Sequence, residues 1–153
     1  MCLIIDANLT AQVFAATPNP NFVPVLDWLS SRDGLMVYGG KNYDELKRVG
    51  RAAIFIQQLA RAGHALQFRK ESIEAEEKVV AQFNLMRSDD PHVIALARIS
   101  GARVVCTDDV ALIDDFKNTR LVPSPKGKVY RRKNHQNVLG HSKGCRGYKK
   151  RKR

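Results

Sequence analysis

Leu3-Ile4-Ile5-Asp6 opens the chain with an apolar run ended by a carboxylate, and Val104-Val105-Cys106-Thr107-Asp108-Asp109 repeats the arrangement far downstream. A short, continuous apolar run of this kind reads as a strand buried on both faces, as in a parallel sheet. The acids that follow should then emerge at strand carboxyl ends, the edge where open α/β sheets bind their ligands. Asp90, in Asp89-Asp90-Pro91, stands at the start of a helix and is a third candidate. Carboxylates gathered in one place repel one another and resist ionisation unless a divalent cation neutralises them. Hard-metal chemistry with Mg²⁺ or Mn²⁺ is therefore the first expectation.

Between the two runs, strand-like and helix-like segments alternate, which argues for an α/β fold with a mainly parallel sheet. Residues 2–5 read as the first strand and 8–14 as a short helix. After the turn cluster Thr17-Pro18-Asn19-Pro20-Asn21, Phe22, Val25, Leu26 and Leu29 recur at helical spacing over 22–31. Residues 35–38 form a second strand ended by Gly39-Gly40. The pattern over 43–62 predicts one long helix, with Leu46, Val49, Ala53 and Ile56 on one stripe and Gly63 as its stop. A weaker third strand spans 65–68, followed by an amphipathic helix over 71–86 whose early acids suit the positive end of the helix dipole. Pro91 suits the first turn of a helix over 91–100, with Asp90 as its N-cap and Gly101 closing it. A strand over 103–106 and a helix over 110–116 follow, then a last edge strand at Leu121 and Val122 before Pro123 and Pro125. From residue 126 onward no secondary structure is expected.

The 153 residues, 44% of them apolar, suffice for one domain with one core. Up to Phe116 there are 12 Lys and Arg against 15 Asp and Glu, a net of −3; from Lys117 to the end there are 14 basic residues and no acid, a net of +14, which together give the chain's +11. So one-sided a tail suits a polyanion, because each Lys or Arg that meets a phosphate releases a condensed counterion. The expected division is a domain over 1–122 and a basic nucleic-acid-binding tail over 123–153. Its contacts would be Lys126, Lys128, Arg131, Arg132, Lys133, Lys143, Arg146, Lys149, Lys150 and Arg151, with Tyr130 and Tyr148 as surfaces on which unpaired bases stack. No window approaches the ~18 apolar residues of a membrane span and no basic leader precedes Asp6, so a soluble, cytoplasmic protein is expected. Three widely spaced cysteines, Cys2, Cys106 and Cys145, argue against a disulfide framework. His135, His141 and Cys145 match no common zinc-finger spacing.

Several residues admit two roles from pattern alone. Asp6 suits a metal site, since a carboxylate at a strand end adds nothing to a core, but it also suits a turn that caps the next helix. Of Asp108 and Asp109, one can cap the helix at 110 while the other faces the site, and the two are interchangeable at this stage. Glu45, beside Asp44, reads as a dipole-complementing helix residue. Cys106 reads as a small apolar core residue, and His64 and His92 as ordinary helix-end residues.

Four short motifs carry a family resemblance. Leu3-Ile4-Ile5-Asp6-Ala7-Asn8 resembles the opening of PIN-domain nucleases, and Asp89-Asp90-Pro91-His92-Val93-Ile94-Ala95-Leu96-Ala97 is similar to their Asp-bearing helix start. Val104-Val105-Cys106-Thr107-Asp108-Asp109, with Asp114-Asp115-Phe116 following, resembles their late strand and its Thr-x-Asp/Asn turn. The family's middle acid would match Glu45 in Tyr43-Asp44-Glu45-Leu46. The resemblance covers residue 2 to about 116. It implies a three-layer α/β/α sandwich and an Mg²⁺- or Mn²⁺-dependent endoribonuclease. Asp6, Glu45, Asp90 and Asp109 would be the catalytic, metal-binding set, with Asp108 competing with Asp109. Thr107 and Asn8 match polar positions that orient a carboxylate or a metal-bound water.

Such families include toxins of toxin–antitoxin pairs and RNA-maturation nucleases; the basic extension lies outside their compact pattern. The partners implied are RNA, an inhibitory antitoxin-like protein and a second copy of the chain in a homodimer, with no membrane. Single-stranded DNA suits the chemistry as well, since metal-assisted hydrolysis needs no 2′-hydroxyl. The rival from another class is a non-catalytic RNA- or ribosome-binding protein that acts through its basic tail.

Overall fold

The two apolar runs lie side by side at the middle of the sheet. β1 (Leu3–Ile5) pairs in parallel with β4 (Val104–Cys106), with Leu3 opposite Val104, Ile4 opposite Val105 and Ile5 opposite Cys106. This computed structural model describes residues 2–139 and residue 145. After β1 come a 3-10 turn (Ala7–Leu9), α1 (Thr10–Val13), α2 (Val23–Ser30), β2 (Met36–Gly39), α3 (Gly40–Leu46), α4 (Gly50–Arg61) and β3 (Ala65–Phe68). α5 (Lys70–Ala81) and α6 (Pro91–Ser100) precede β4, which is followed by α7 (Val110–Lys117), β5 (Lys128–Tyr130) and a 3-10 helix (Lys133–Val138). The sheet order is β3-β2-β1-β4-β5, all parallel. The chain builds outward from β1 to β3, then returns to lay β4 against the other side of β1. The order therefore reverses between β1 and β4, the point where such sheets open a crevice at their carboxyl edge.

Helices cover both faces because the strand pleat sends alternate residues to opposite sides. Leu3 and Ile5 of β1 pack with Val13, Val25, Leu29, Leu46 and Ile56 from α1 to α4, while Ile4 packs with residues of α5, α6 and α7 such as Val80, Ile94 and Leu112. α6 has Val93 through Ala97 buried without interruption, which is why its sequence is apolar all round instead of striped. Among the described residues no helix is long and apolar enough to cross a membrane.

Four expectations need correction. The single helix over 43–62 is two: α3 ends at Leu46, Val49 is extended (φ −91°, ψ 106°) and α4 restarts at Gly50. The helix expected to reach 86 stops at Ala81, and Asn84 soon after lies in the left-handed region (φ 51°). Leu121 and Val122 are fully buried but form a turn; Arg98 donates to the Leu121 carbonyl and Arg103 to the Pro123 carbonyl, both at 2.8 Å, so arginines take the bonds a strand partner would have taken. The edge strand is β5, and it forms where no structure was expected. Gly127 permits it, since a Cβ there would lie 2.2 Å from the Phe116 carbonyl oxygen. The sheet thus runs past the boundary expected at 122. The fourth correction is covalent: Cys2 and Cys145 are joined as a disulfide, against the expectation of free thiols, while Cys106 is free and buried.

Candidate active site

Asp6 follows β1 directly. Its amide donates to the Cys106 carbonyl at 2.9 Å, which continues the β1–β4 ladder by one bond and fixes the residue at the carboxyl edge of the sheet. The side chain is buried, 4% exposed, and held from two directions: Thr107 Oγ1 donates to Oδ2 at 2.6 Å and the Asn8 amide donates to Oδ1 at 3.4 Å. Both roles anticipated for Asp6 therefore coexist, with one oxygen capping the 3-10 turn. Burial pushes its pKa above the ordinary value; the two hydrogen bonds pull against this, and the charges of Asp109 and Asp108 add to it.

Thr107 does more than hold Asp6. Its Oγ1 also accepts from the Asp109 amide at 3.1 Å, so one hydroxyl ties the β1 acid to the turn after β4. Asp109 Oδ1 caps α7 through the amides of Ala111 and Leu112 at 3.0 and 3.3 Å. Asp108 turns outward, with its Oδ1 3.5 Å from Arg131 Nε. Asp109 is thus the capping residue of the pair and adds its charge to those around Asp90, whereas Asp108 pairs with the arginine after β5.

Asp90 departs from expectation in an informative way. It occupies the N-cap position of α6, but its side chain makes no cap hydrogen bond. The segment before it is clamped instead by the buried Asp115 of α7, which accepts from the amides of Arg87 and Ser88 at 2.9 and 2.8 Å. Burial pushes the Asp90 carboxyl up to about 6, reinforced by the negative charges of Asp6, Asp109 and Glu45 and opposed by Lys41. Asp6, Asp109 and Glu45 thus all lie within electrostatic reach of Asp90.

Glu45 reaches this edge because Gly39 and Gly40 let β2 pass straight into α3. Gly39 has φ 155°, and a Cβ there would meet the Phe68 carbonyl oxygen at 2.3 Å. Glu45 lies 3.8 Å from Lys41 Nζ and 3.9 Å from His92 Nε2. Burial, with help from Lys41, lowers the His92 pKa to about 4, so the imidazole is neutral at pH 7 and the Glu45 contact is not an ion pair.

Two residues of this edge escaped sequence reasoning. Asn42 is buried in α3 and donates through Nδ2 to the Ile5 carbonyl at 3.1 Å, locking α3 to the residue before Asp6. His92 is 2% exposed, unlike the ordinary helix-end residue expected. Asn42 Oδ1 and His92 Nδ1 are both buried without a hydrogen-bond partner among the described residues. Each such orphan costs about 1–3 kcal/mol, which marks this end of the sheet as shaped by something other than stability. Asn8, by contrast, contributes its backbone while its side chain is exposed.

The donors are hard carboxylate oxygens, the type Mg²⁺ and Mn²⁺ prefer. As arranged, no three His, Cys, Asp or Glu side chains among the described residues form a group that could hold an ion.

The basic residues divide by position. Arg131, Arg132 and Lys133 follow β5 and so share the acids' edge of this parallel sheet, whereas Lys126 and Lys128 lie at its opposite end. Tyr130 is fully buried, packed against Phe22, with its hydroxyl donating to the Asn21 carbonyl; it is a core residue and not a surface for bases. His135 Nδ1 accepts from the Arg131 amide, and Cys145 is in the disulfide, so neither stands ready for zinc. Lys143, Arg146, Tyr148, Lys149, Lys150, Arg151 and His141 lie outside the described residues. In comparisons with known proteins, the chain matches no protein-family model, no curated protein and no solved structure.

Proposed function

We propose that the protein is a metal-dependent endoribonuclease of PIN-like type, with Asp6, Asp90, Asp109 and Glu45 as the residues that hold Mg²⁺ or Mn²⁺. The observation that carries the reading is the placement of four acids from four separate elements at the carboxyl edge where the strand order reverses, with the Asp90 side chain making no cap bond and its charge opposed by the other three. When bound, such an ion supplies an activated water and stabilises charge on the leaving oxygen of a phosphodiester. The chain's own groups prepare the site. Thr107 orients Asp6, Asn42 braces the strand end before it, Asp115 fixes the approach to Asp90, and neutral His92 lines the Glu45 side. Glu45 and Asp90 are partly exposed, whereas Asp6 is buried and held by Thr107.

RNA is favoured as the polyanion by the +14 segment from Lys117 onward, part of which, Arg131 to Lys133, adjoins the acids. The rival is a non-catalytic RNA-binding protein on the same scaffold, favoured by the acids standing apart from one another as they are. Cleavage of a mixed pool of structured and single-stranded RNAs, in Mg²⁺, Mn²⁺ and EDTA, separates the two. Cutting that needs the metal and is lost in Asp6→Asn supports the nuclease; binding without cutting in every condition supports the rival. A role as the toxin of a toxin–antitoxin pair would appear as growth arrest by the wild-type chain that a neighbouring small protein relieves.

A further inference from the structure

A groove of about 550 Å³ lies between the start of α2 and the 3-10 helix that follows β5, apart from the four acids. Its walls are Trp28, Pro20 and Pro24, and its polar lining is Asp27, Lys133 and Gln136. It is a built feature and not a loose surface dip. Asn21, just before α2, accepts from the Tyr130 hydroxyl through its carbonyl and from the Lys133 amide through its side chain at 3.3 Å, so the segment after β5 is tied to the entry of α2.

Three consecutive cations, Arg131, Arg132 and Lys133, run between Asp108 and the groove. Asp109 is the neighbour of Asp108, Asp108 pairs with Arg131, and Lys133, two residues on, lines the groove. Two residues of extended chain span at most ~7 Å, so the backbone of Lys133 lies within that distance of Arg131. A half-buried indole framed by proline rings offers a flat apolar face, which suits any unpaired base. Lys133 and its neighbour Arg132 supply charge for the flanking phosphates. The Asp27 carboxylate, an acceptor only, would repel a phosphate but can accept from the amino group of a base, as acids do from cytosine N4.

We infer that this groove is a subsite for an unpaired RNA base, stacked on Trp28 with its amino edge toward Asp27, and flanking the phosphodiester that the acidic site addresses. The inference deepens the nuclease reading and rests on it for the position of the scissile bond, but base binding itself does not require cleavage.

Trp28 is the chain's only tryptophan, so its fluorescence reports on the groove directly. The test titrates the full chain, in EDTA, with oligocytidylate, oligouridylate and a fully paired RNA duplex of equal length, while anisotropy of labelled RNA follows total binding. Saturating quenching by the single strands, stronger for cytidylate than uridylate and absent with the duplex, is expected. Lys133→Glu should weaken the quenching transition at least about fivefold, and Trp28→Ala should weaken binding by anisotropy roughly tenfold. Lys133→Glu lies on an exposed surface and so keeps the test valid if Trp28→Ala folds poorly. Unchanged Trp28 emission while RNA is bound, equal quenching by the duplex, or quenching only by a copurifying protein would overturn the inference. Quenching without cleavage in any metal would leave the subsite standing and remove the nuclease; cleavage without quenching would do the reverse.

Discussion

Replacing Asp90 by Asn removes one charge from a site where that charge is opposed but keeps a side chain able to cap, so a gain in stability reports the repulsion alone. The Asp90 carboxyl has a folded-state value of about 6 against an ordinary 3.8. At about 1.4 kcal/mol per pH unit, the full difference corresponds to about 3 kcal/mol. Asp90 is partly open to solvent, and screening reduces this to roughly 1–2 kcal/mol. Because the folded-state pKa is raised, the fold prefers the protonated acid. Stability from this group is complete below about 3.8 and is lost as pH rises through about 6. In EDTA, Asp90→Asn should therefore be more stable than wild type by roughly 1–2 kcal/mol at pH 7.5, a rise of about 3–6 °C in melting temperature for a domain this size. The difference should shrink toward zero near pH 3.8. Urea unfolding followed by Trp28 fluorescence at a series of pH values measures both. A working N-cap would give no such gain, since Asn caps a helix about as well as Asp. Unchanged or lowered stability of Asp90→Asn at pH 7.5 would thus refute the picture of a carboxylate held against its neighbours.

Three further outcomes follow from the same geometry. Thr107→Val should cost about 1–3 kcal/mol, because the buried Asp6 loses its 2.6 Å donor; it should also reduce RNA cleavage, with Thr107→Ser restoring both in melting and rate measurements. Asp115→Ala strips the acceptors from the Arg87 and Ser88 amides, so it should cost roughly 2–3 kcal/mol and speed amide exchange at those two residues, read by hydrogen exchange. Gly39→Ala forces a Cβ against the Phe68 carbonyl at a positive φ and should lower stability by at least about 2 kcal/mol in urea unfolding.

The parts of this molecule that could be read from its sequence are those whose physics is local. β1 and β4 are runs of apolar residues with no competing pattern, and Pro91 and Gly101 mark the two ends of α6 within a residue of where they fall. Asp6 could be singled out from β1 alone, whereas Asp108 and Asp109 after β4 stayed interchangeable, since which of the two caps α7 is fixed only in the folded turn. Glu45 was different: on an exposed helix pattern nothing distinguishes it, and it entered only through the family resemblance. Asn42 and His92 gave no signal, since their significance lies in being buried against other elements, a tertiary property. β5 was missed because Lys128-Val129-Tyr130 has only two apolar residues and sits among basic ones; it becomes a strand because Gly127 fits under the Phe116 backbone and the Arg103 guanidinium holds the preceding turn. The break between α3 and α4 was hidden for the opposite reason, since Leu46, Ile56 and Leu59 all face the core and the apolar stripe runs on across the interruption.

Whether these acids form one metal site is tested most directly by titrating the full wild-type chain, Asp6→Asn and Asp90→Asn with Mn²⁺ at pH 7.5, following free Mn²⁺ by electron paramagnetic resonance. Asp90→Asn is expected to be the more stable protein without metal, so weaker binding there cannot be attributed to unfolding. Saturable binding by wild type, weakened at least about tenfold in both variants, is the predicted result. No saturable binding by wild type, or equal affinity in all three chains, would contradict it.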